Sequence, residues 1–583
     1  MKRLLYQLAR VGEISWLSFH FAEFIAAQSQ ATIDDPLCLS AAMLCEANQQ
    51  GSVCIDLAEL AGKPMFSGAG FDADSIPKAA PTANWCQQLR ACDCVGAPGV
   101  IAPMTLDGHR LYLNRFWFYE DFIAARIRHL LAGDGDTDQA RVKSAFDAQL
   151  ANLSGMDRDQ KQAVLTSASN AFSVISGGPG SGKTSTVVRI LQLLLTLDPD
   201  CRIALVAPTG KAAARMIDSI RERVDQLDIA EASKNALPAE ARTIHRLLGY
   251  HRNGFEYNEN HRLSCDCIIV DEASMVDLKL MFHLLAALPD NARLILLGDR
   301  DQLASVAAGN VLGDITGHGH ATDAGAAELS ASIALLRSNY RFGKDTAIGE
   351  LADLVNLGDS AAAIELLTQG QRGLRWYADH PDRIHAQALN WIYDAYQPIF
   401  TSQSAAEALD IYESSRVLCA TNLGPFGVES LNQTISRALL ARNEIAESTL
   451  YHGLPIMITR NHHQLGLYNG DTGILWSDAR GLRACFRDAM HGIRDLAINR
   501  LPGFTPAWAS TVHKSQGSEF DSVLLIMPVD AESEVLSREL VYTAVTRARR
   551  QFILHGGERV MAGAIGRLTR RHSGLAQKLG WPD

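Results

Sequence analysis

The sequence predicts an α/β protein with two parallel-sheet domains, a mainly helical N-terminal domain and a small β-rich insert in the second parallel-sheet domain. The chain has 583 residues, which is too long for a single hydrophobic core. Four apolar runs, FSVISG, RIALVAP, CIIVDEAS and ARLILLGD, alternate with helical stretches, and each ends in a polar or glycine-bearing turn. Alternation of this kind is typical of parallel strands joined by crossover helices, with ligands at the carboxyl ends of the strands.

Domain boundaries follow from changes in composition along the chain. Residues 1–135 contain amphipathic helical patterns, such as DPLCLSAAMLCEANQQG and FYEDFIAARIRHLLAG, and carry no phosphate-binding signal. A polar segment that begins at Gly133 separates them from a first parallel-sheet domain at 145–340. A second α/β pattern spans 341–583, and its β-rich insert is expected at about 445–505, where apolar residues alternate around the turn sequence NGD.

The composition excludes several classes of protein. Hydrophobic residues make up 47% of the chain and charged residues 20%, and no segment has the ~20 consecutive apolar residues that span a bilayer. No secretory pattern is present at the N-terminus, so we expect a cytoplasmic protein without membrane contact. The net charge of −11 argues against general attraction to nucleic acid and confines any DNA contact to a local groove. Six of the eleven cysteines precede residue 95, as either buried thiols or a metal site.

The stretch SVISGGPGSGKTSTVVRILQLLL, which begins at Ser173, matches the phosphate-binding pattern G-x-x-x-x-G-K-[ST] and has the strand and helix that this motif requires. Glycines let backbone N–H groups approach a phosphate, and the helix adds the positive end of its dipole. We expect Lys183 to reach the β- and γ-phosphates of ATP and Thr184 to bind Mg²⁺. The expected nucleotide-binding residues here are Gly177, Gly178, Pro179, Gly180, Ser181, Gly182, Lys183, Thr184 and Ser185.

Two acidic residues follow another apolar strand, in IIVDEAS. Asp271 is expected to hold Mg²⁺, and Glu272 to orient and deprotonate the attacking water. The next strand end, in LLGDRDQLASV, presents Gln302, whose amide can report whether a γ-phosphate is present. Together with the glycine-rich loop, these residues predict hydrolysis of ATP rather than binding alone.

Nine motifs occur in the order found in superfamily-one helicases: MDRDQKQAV, GGPGSGKTS, LVAPTGKAAARM, TIHRLLG, IIVDEASMVD, LLGDRDQLASV, NYRFG, VHKSQGSEFD and ELVYTAVTRARR. The chain therefore resembles that superfamily, which implies two RecA-like motor domains. The segment TVHKSQGSEFD, with GLYNGDTGI before it and DGHRLYLNRFW in the N-terminal domain, is similar to the RecD family, the alpha subunits of bacterial exonuclease V. This resemblance covers essentially the whole chain and implies an SH3-like insert and a partner-docking N-terminal domain.

The resemblance assigns roles to residues beyond the glycine-rich loop. It implies that Gln160 recognises adenine and that Arg341 and Arg547 reach the γ-phosphate from the second motor domain. A cation from a second domain stabilises the transition state only when the cleft closes. Gly517 and Glu519 also match nucleotide-contacting positions. The positions that resemble DNA contacts are Pro208, Thr209, Gly210, His245, Thr511 and His513, and such contacts hold single-stranded DNA without reading its sequence.

The function implied by the resemblance is that of a 5′-to-3′ DNA helicase, which uses ATP and Mg²⁺ to process double-strand DNA ends for recombination and repair. The family works as a heterotrimer with RecB-like and RecC-like subunits, and we expect no nuclease site in this chain. Two alternatives stay open. One is a stand-alone RecD-like helicase, and the other is an ATP-controlled interaction subunit whose ATPase activity would be insensitive to single-stranded DNA.

Overall fold

The computed structural model confirms the α/β class, because the protein contains one six-stranded and one five-stranded sheet whose strand pairs are all parallel. A four-stranded sheet belongs to the N-terminal domain, and a second five-stranded sheet belongs to an insert in the second half of the chain. The structure describes residues 4–29, 35–67, 76–133, 139–150, 155–226, 237–252, 254–317, 324–338, 340, 346–378, 384–443, 448–488, 492–531, 533 and 535–582.

Residues 4–133 form a mainly helical domain with a four-stranded sheet of order β1-β4-β3-β2. The helices are α1 (Leu4–Val11), α2 (Trp16–Ser29), α3 (Pro36–Gln49), α4 (Leu57–Leu60), α5 (Thr82–Arg90) and α6 (Asn114–Leu131), and the strands are β1 (Cys54–Asp56), β2 (Val95–Gly96), β3 (Met104–Asp107) and β4 (Arg110–Leu113). Asp35 caps α3 by accepting a hydrogen bond from the Leu37 N–H. These strands have two to four residues, too few for their periodicity to predict them.

The first parallel-sheet domain follows, which we call motor domain 1 after the role that the resemblance implies, and its sheet has the order β12-β5-β11-β10-β6-β7. Its helices are α7 (Gln139–Leu150), α8 (Arg158–Ser169), α9 (Lys183–Leu197), α10 (Gly210–Gln226), α11 (Ile244–Leu247), α12 (Leu278–Ala287), α13 (Val311–Thr316) and α14 (Ala324–Ala331). Its strands are β5 (Phe172–Gly177), β6 (Ile203–Ala207), β7 (Ala241–Thr243), β8 (Tyr250–His251), β9 (Gly254–Phe255), β10 (Cys267–Val270), β11 (Arg293–Gly298) and β12 (Ile333–Leu336). The four apolar runs of the sequence are β5, β6, β10 and β11, so the polar residues after them meet at one edge of the sheet.

Motor domain 2 has the sheet order β13-β22-β21-β14-β20. The helices of this half of the chain are α15 (Ala347–Leu357), α16 (Ser360–Gln369), α17 (Ala386–Tyr396), α18 (Ala405–Ser414), α19 (Val428–Arg442), α20 (Arg538–Val545), α21 (Glu558–Gly566) and α22 (Leu575–Lys578). The strands are β13 (Leu374–Tyr377), β14 (Ser415–Cys419), β15 (Pro455–Ile458), β16 (Thr472–Asp478), β17 (Gly481–Asp488), β18 (Gly492–Ala497), β19 (Phe504–Pro506), β20 (Ala509–Thr511), β21 (Phe520–Ile526) and β22 (Ala548–His555).

The insert is an antiparallel sheet of order β18-β17-β16-β15-β19. The NGD sequence lies in a turn before β16, in which the Asp471 N–H donates to the carbonyl oxygen of Tyr468 at 3.0 Å. Gly470 has φ of 94° there, a conformation that favours glycine. This turn ends the long connection between β15 and β16, so it does not join them as a two-residue hairpin.

Helix α6 joins one hydrophobic core with motor domain 1, whereas most of the N-terminal domain packs into a core of its own. Helix α6, which the sequence places in the N-terminal domain, packs on α12 of motor domain 1. The Tyr119 and Phe122 rings lie 4.6 Å and 4.9 Å from the Phe282 ring, and Arg126 donates to the Leu288 carbonyl oxygen at 3.0 Å. The domain limits drawn from the sequence stay a prediction, but α6 is structurally part of the motor core.

Two expectations from the sequence, about a metal site among the cysteines and about membrane contact, can be compared with the described ranges. All eleven cysteines have free thiols, and burial raises the pKa of thiols such as those of Cys45 and Cys94. No cluster of three or more histidine, cysteine or acidic side chains suited to a metal ion occurs within these ranges. None of their helices is long and apolar enough to cross a membrane.

Candidate functional site

The glycine-rich loop closes around the side chain of Lys183. The loop joins β5, which ends at Gly177, to α9, which begins at Lys183. Gly180 and Gly182 each have φ of 83°, a left-handed conformation that disfavours other residues. The Lys183 ammonium donates hydrogen bonds to the carbonyl oxygens of Gly177 and, at 3.2 Å, of Gly178. Loop, lysine and helix N-terminus therefore have the arrangement of a phosphate cradle.

Gln160 is fixed against this loop. It lies in a capping box at the start of α8 and is only 4% exposed. Its Nε2 donates to the carbonyl oxygen of Ser181 at 3.1 Å, and a Cβ at Gly182 would lie 2.2 Å from the same nitrogen. Tyr340 covers the other side, where its N–H donates to the Gly180 carbonyl oxygen at 2.8 Å. Gln160 is thus beside the nucleotide-binding loop, while its selectivity for adenine stays a prediction.

The loop and the start of α9 also carry three hydroxyl side chains, those of Ser181, Thr184 and Ser185. Thr184 and Ser185 lie half-buried in the first turn of α9, and Pro179 is buried in the loop itself. The Ser181 Oγ is buried and has no hydrogen-bond partner within the described ranges. Because buried polar groups are normally satisfied by a partner, an unpartnered hydroxyl at this place fits a loop that receives a phosphate ligand.

Asp271 and Glu272 leave the carboxyl end of β10. Burial and the neighbouring Glu272 carboxylate raise the pKa of Asp271 to about 6. Glu272 has φ of 51° and is the only non-glycine residue with positive φ in the part of the chain that the structure describes. Such backbone strain costs about 1–3 kcal/mol and is concentrated at functional sites. The left-handed backbone at Glu272 ends the extended path of β10 directly after Asp271.

Gln302 belongs to a hydrogen-bonded chain that joins the two motor domains. Its Nε2 donates to Asp299 Oδ2 at 2.9 Å, and the Tyr542 hydroxyl of motor domain 2 donates to the same oxygen at 3.2 Å. A Cβ at Gly178 would lie 2.9 Å from that hydroxyl. The Gln302 Oε1 is buried without a hydrogen-bond partner in the described part of the chain. The chain therefore connects motor domain 2 to the phosphate-binding loop.

Motor domain 2 also closes over Glu272. Gly517 has φ of 67°, and a Cβ there would lie 3.9 Å from Glu272 Oε1. Arg215 of α10 donates across the cleft to the Gly517 carbonyl oxygen. Arg547 is 2% exposed and donates to the carbonyl oxygens of Thr543 and Ser518 at 3.1 Å and 3.2 Å, so its guanidinium is held by its own domain.

Two other residues expected at the nucleotide have different outcomes. The Glu519 carboxylate is paired with Arg549 at 3.2 Å, so it faces a cation of its own domain. Arg341 lies outside the described residues. The nucleotide-binding roles of both residues stay predictions.

The predicted DNA phosphate site lies where the insert meets motor domain 1. Thr209 precedes α10, and its Oγ1 accepts a hydrogen bond from the Ala212 N–H at 3.2 Å. A Cβ at Gly210 would lie 3.1 Å from the Tyr468 ring of the insert. Burial, Arg416 and Arg215 lower the pKa of Lys211 to about 8. Pro208, Thr209 and Gly210 therefore form a covered turn with a lysine beside it.

The remaining predicted DNA contacts lie on separate elements. Thr511 ends β20 and is 5% exposed, and its Oγ1 accepts from the Lys514 N–H at 3.3 Å. Burial, followed by the nearby Arg571, lowers the pKa of His513. His245 is exposed on α11, with its ring 5.6 Å from the exposed Tyr250 ring. His245 is thus a surface group, whereas Thr511 is buried and His513 is half-buried in motor domain 2.

Three residues of the site were not singled out from the sequence. Tyr542 and Asp299 form the contact between the motor domains, and Arg215 bridges the cleft. A partial signal exists for each, because all three lie within motif segments: Asp299 in LLGDRDQLASV, Tyr542 in ELVYTAVTRARR and Arg215 in LVAPTGKAAARM. Their pairing depends on distant parts of the chain and therefore leaves no local pattern.

Three protein-family models match this chain. Residues 10–112 match a family described as "RecBCD enzyme subunit RecD, N-terminal domain". Residues 160–308 match "AAA domain", and residues 506–555 match "UvrD-like helicase C-terminal domain". The three matches fall on the N-terminal domain, motor domain 1 and motor domain 2.

Whole-chain relatives agree with these matches. The chain is 36% identical to "RecBCD enzyme subunit RecD" of Mycolicibacterium smegmatis over 93% of both chains. It is 30% identical to "ATP-dependent RecD2 DNA helicase" of Deinococcus radiodurans, over 77% of this chain and 55% of that protein. A solved structure titled "Structural Basis for DNA Unwinding at Forked dsDNA by two coordinating Pif1 helicases" is 16% identical and covers 68% of this chain and 91% of that one, with a TM-score of 0.38.

Proposed function

This chain belongs to the RecD family, and from that premise we propose that it is the ATP-dependent 5′-to-3′ DNA helicase subunit of a RecBCD-type exonuclease V complex. One observation carries the proposal. The Tyr542 hydroxyl of motor domain 2 bonds to Asp299 of motor domain 1 and lies against Gly178 of the phosphate-binding loop. A motor needs a contact of this kind, because the phosphate state of the nucleotide must change the separation of its two domains.

The residues of motor domain 1 are suited to hydrolysis of ATP. Lys183 is positioned to neutralise the β- and γ-phosphates, and Glu272 is positioned to orient and deprotonate the attacking water. Asp271 and Thr184 would hold Mg²⁺, since carboxylate and hydroxyl oxygens are the ligands that this ion prefers. When bound, Mg²⁺ supplies Lewis-acid neutralisation of phosphate charge. A nearby divalent cation would also lower the raised pKa of Asp271.

Hydrolysis would be coupled to movement through Gln302. Its buried Oε1, which has no hydrogen-bond partner in the described part of the chain, would respond to the γ-phosphate, while its Nε2 is bonded to Asp299. The same Asp299 oxygen holds Tyr542. A change at the γ-phosphate therefore reaches motor domain 2 through two hydrogen bonds. Arg547 would complete the charge stabilisation when the cleft closes, together with Arg341.

Movement would take place along one DNA strand. Thr209 belongs to motor domain 1, and the segment with Thr511 and His513 belongs to motor domain 2. Domain closure would therefore shift one predicted DNA contact relative to the other. Contacts from hydroxyls and a helix N-terminus hold the DNA backbone and carry no sequence information. We therefore propose sequence-independent binding of single-stranded DNA and of duplex ends, with 5′-to-3′ polarity as in the family.

Assembly with RecB-like and RecC-like partners in the cytoplasm would use the N-terminal domain. Its first two helices expose the apolar side chains of Tyr6, Val11, Trp16, Leu17 and Phe24, which we call the apolar patch, and the Tyr6 and Trp16 rings lie 5.8 Å apart. Val11 and Leu17 are each 61% exposed. Contiguous exposed apolar groups mark interaction surfaces, and the RecD N-terminal family match covers most of this region. That match favours a complex subunit over a stand-alone helicase.

The catalytic part of the proposal is tested with Lys183→Ala. DNA-stimulated ATPase activity of the purified protein should fall by at least about 100-fold, because the lysine is the main charge at the phosphates. Lys143→Ala removes an exposed lysine of α7 and should leave the activity unchanged. ATPase activity that does not respond to single-stranded DNA in the unaltered chain would support the interaction-subunit alternative instead.

The assembly part is tested by affinity purification of the tagged chain from its own cells, followed by native mass measurement. Two large partners in equal ratio are expected. Leu17→Asp should remove them, since it places a charge in the apolar patch, while Leu357→Asp alters a leucine that is 77% exposed on motor domain 2 and should not. A lone chain that is active without partners would identify a free helicase.

A further inference from the structure

The C-terminal segment connects all three domains. Residues 567–582, which we name the C-terminal strap, leave α21 of motor domain 2 and cross to the other two domains. The carbonyl oxygen of His572 accepts a hydrogen bond from the Val53 N–H of the N-terminal domain at 2.7 Å. The Trp581 Nε1 donates to the Ile315 carbonyl oxygen of motor domain 1 at 3.0 Å. The strap is therefore bonded to each domain in turn.

The middle of the strap is anchored in a buried polar pocket of the N-terminal domain. Glu120 of α6 is fully buried and accepts hydrogen bonds from the Ser573 hydroxyl at 2.6 Å and the Gly574 N–H at 3.1 Å. A Cβ at Gly574 would lie 2.1 Å from the Tyr112 hydroxyl. A side chain at this position would collide with Tyr112, so only glycine lets the strap lie this close to Tyr112 and Glu120. The anchor fixes the register of the residues just before it.

Arg571, three residues before Gly574, holds the loop that follows Gln302. Its Nη1 donates to the carbonyl oxygens of Ser305, Ala307 and Gly309 at 2.6, 3.1 and 2.9 Å. The side chain also lies against Gly51 of the N-terminal domain, where a Cβ would be 2.9 Å from the Arg571 Cζ. A single cationic group thus sets the path of five residues, 305–309.

The other end of this loop is held by motor domain 2. The Leu303 N–H donates to Thr543 Oγ1 at 3.0 Å, and the Leu303 carbonyl oxygen accepts from Gln516 Nε2 at 2.7 Å. Gln516 follows His513, the predicted DNA contact. The loop is therefore held by Arg571 at one end and by the segment with the predicted DNA contacts at the other, and Gln302 lies directly before Leu303.

We propose that Arg571 is a positioning residue, through which the C-terminal strap holds the loop after Gln302 in the position that couples DNA binding to ATP hydrolysis. The inference rests on the function proposed above. Arg571 donates to backbone carbonyls of the loop, so its effect would pass through the loop to Gln302. Loss of the contact should reduce the response of the ATPase to DNA rather than its basal rate.

The test compares DNA-free and DNA-stimulated ATPase rates of the full chain, with oligo(dT) as the probe DNA. Arg571→Ala is expected to lower the stimulation factor about tenfold, because several charge-assisted hydrogen bonds are lost. Arg571→Lys should restore at least half of it, since all three contacts converge on one nitrogen and an ammonium has three donors. The control is Arg570→Ala, which removes the same charge from the neighbouring, exposed position.

A second variant keeps the test decisive if Arg571→Ala does not fold. Gly574→Ala displaces the strap from Tyr112 without altering Arg571, and it should also lower the stimulation factor. A general loss of folding would lower both rates by the same factor and leave their ratio unchanged. Stimulation equal to that of Arg570→Ala in both variants would overturn the strap inference while the helicase proposal stands. Absence of DNA stimulation in the unaltered chain would overturn both.

Discussion

Substituting Gly182 with alanine should weaken ATP binding through two effects. Gly182 has φ of 83°, where a residue with a Cβ costs about 1–2 kcal/mol. The new Cβ would also lie 2.2 Å from Gln160 Nε2. To restore an ordinary contact of about 3.5 Å, the amide must withdraw and break its hydrogen bond to the Ser181 carbonyl oxygen. Such a bond contributes about 0.5–1.5 kcal/mol.

The combined cost is about 1.5–3.5 kcal/mol, which corresponds to a roughly 10- to 400-fold weaker affinity if the loop bears it all. Gly12→Ala is the matched control for backbone strain elsewhere in the protein, because Gly12 has φ of 81° and, in the described part of the chain, nothing lies within 4 Å of a Cβ there. That variant carries the backbone strain without the clash and lies away from the loop. It should lower the thermal midpoint slightly and leave ATP affinity unchanged.

The assay is equilibrium titration with a fluorescent ATP analogue, together with thermal unfolding of both variants. A Gly182→Ala protein that binds the nucleotide within threefold of the Gly12→Ala protein would refute the reasoning. In that case the left-handed backbone and the packing of Gln160 against the loop would not define the binding site.

Two further predictions concern the contact between the motor domains and the strap anchor. Tyr542→Phe removes the hydrogen bond to buried Asp299, and a bond to a charged group contributes about 1.5–3 kcal/mol. The DNA-stimulated kcat should therefore fall at least about tenfold in steady-state assays. An unchanged kcat would contradict the proposed coupling between the motor domains. Burial raises the pKa of Glu120 to about 7 from its ordinary value of 4.5, so folding favours the protonated carboxyl group. The stability that this group contributes is therefore fully present below about pH 4.5 and is lost as the pH rises through about 7. Calorimetry should show a thermal midpoint that falls over this range and a flatter profile for Glu120→Gln, whereas equal profiles would show that Glu120 is not the responsible group.

The parts of the site that the sequence predicts are those whose information is local. The phosphate-binding loop lies within one strand, one turn and one helix, so glycine spacing and strand pattern suffice to predict it. The pair Asp271 and Glu272 is similarly marked by the end of an apolar strand. The left-handed backbone at Glu272 is different, since nothing in its neighbours requires a strained φ of 51°.

The parts that the sequence does not predict depend on distant segments. Tyr542 and Asp299 are 243 residues apart in the chain, and Arg571 contacts a loop more than 260 residues before it. Helix α6 has the amphipathic pattern of a helix, but that pattern does not say which domain its apolar face will join. Tertiary packing decides these contacts, and a single sequence carries no record of them.

The most direct test of the central claim is unwinding of matched duplexes that carry either a 5′ or a 3′ single-stranded tail. The unaltered chain, purified with the partners that accompany it and with the partner motor inactivated, should unwind the 5′-tailed duplex only with ATP. The complex that contains Lys183→Ala should not unwind it. Unwinding that is independent of Lys183, or that requires a 3′ tail, would contradict the account of this chain as a 5′-to-3′ motor.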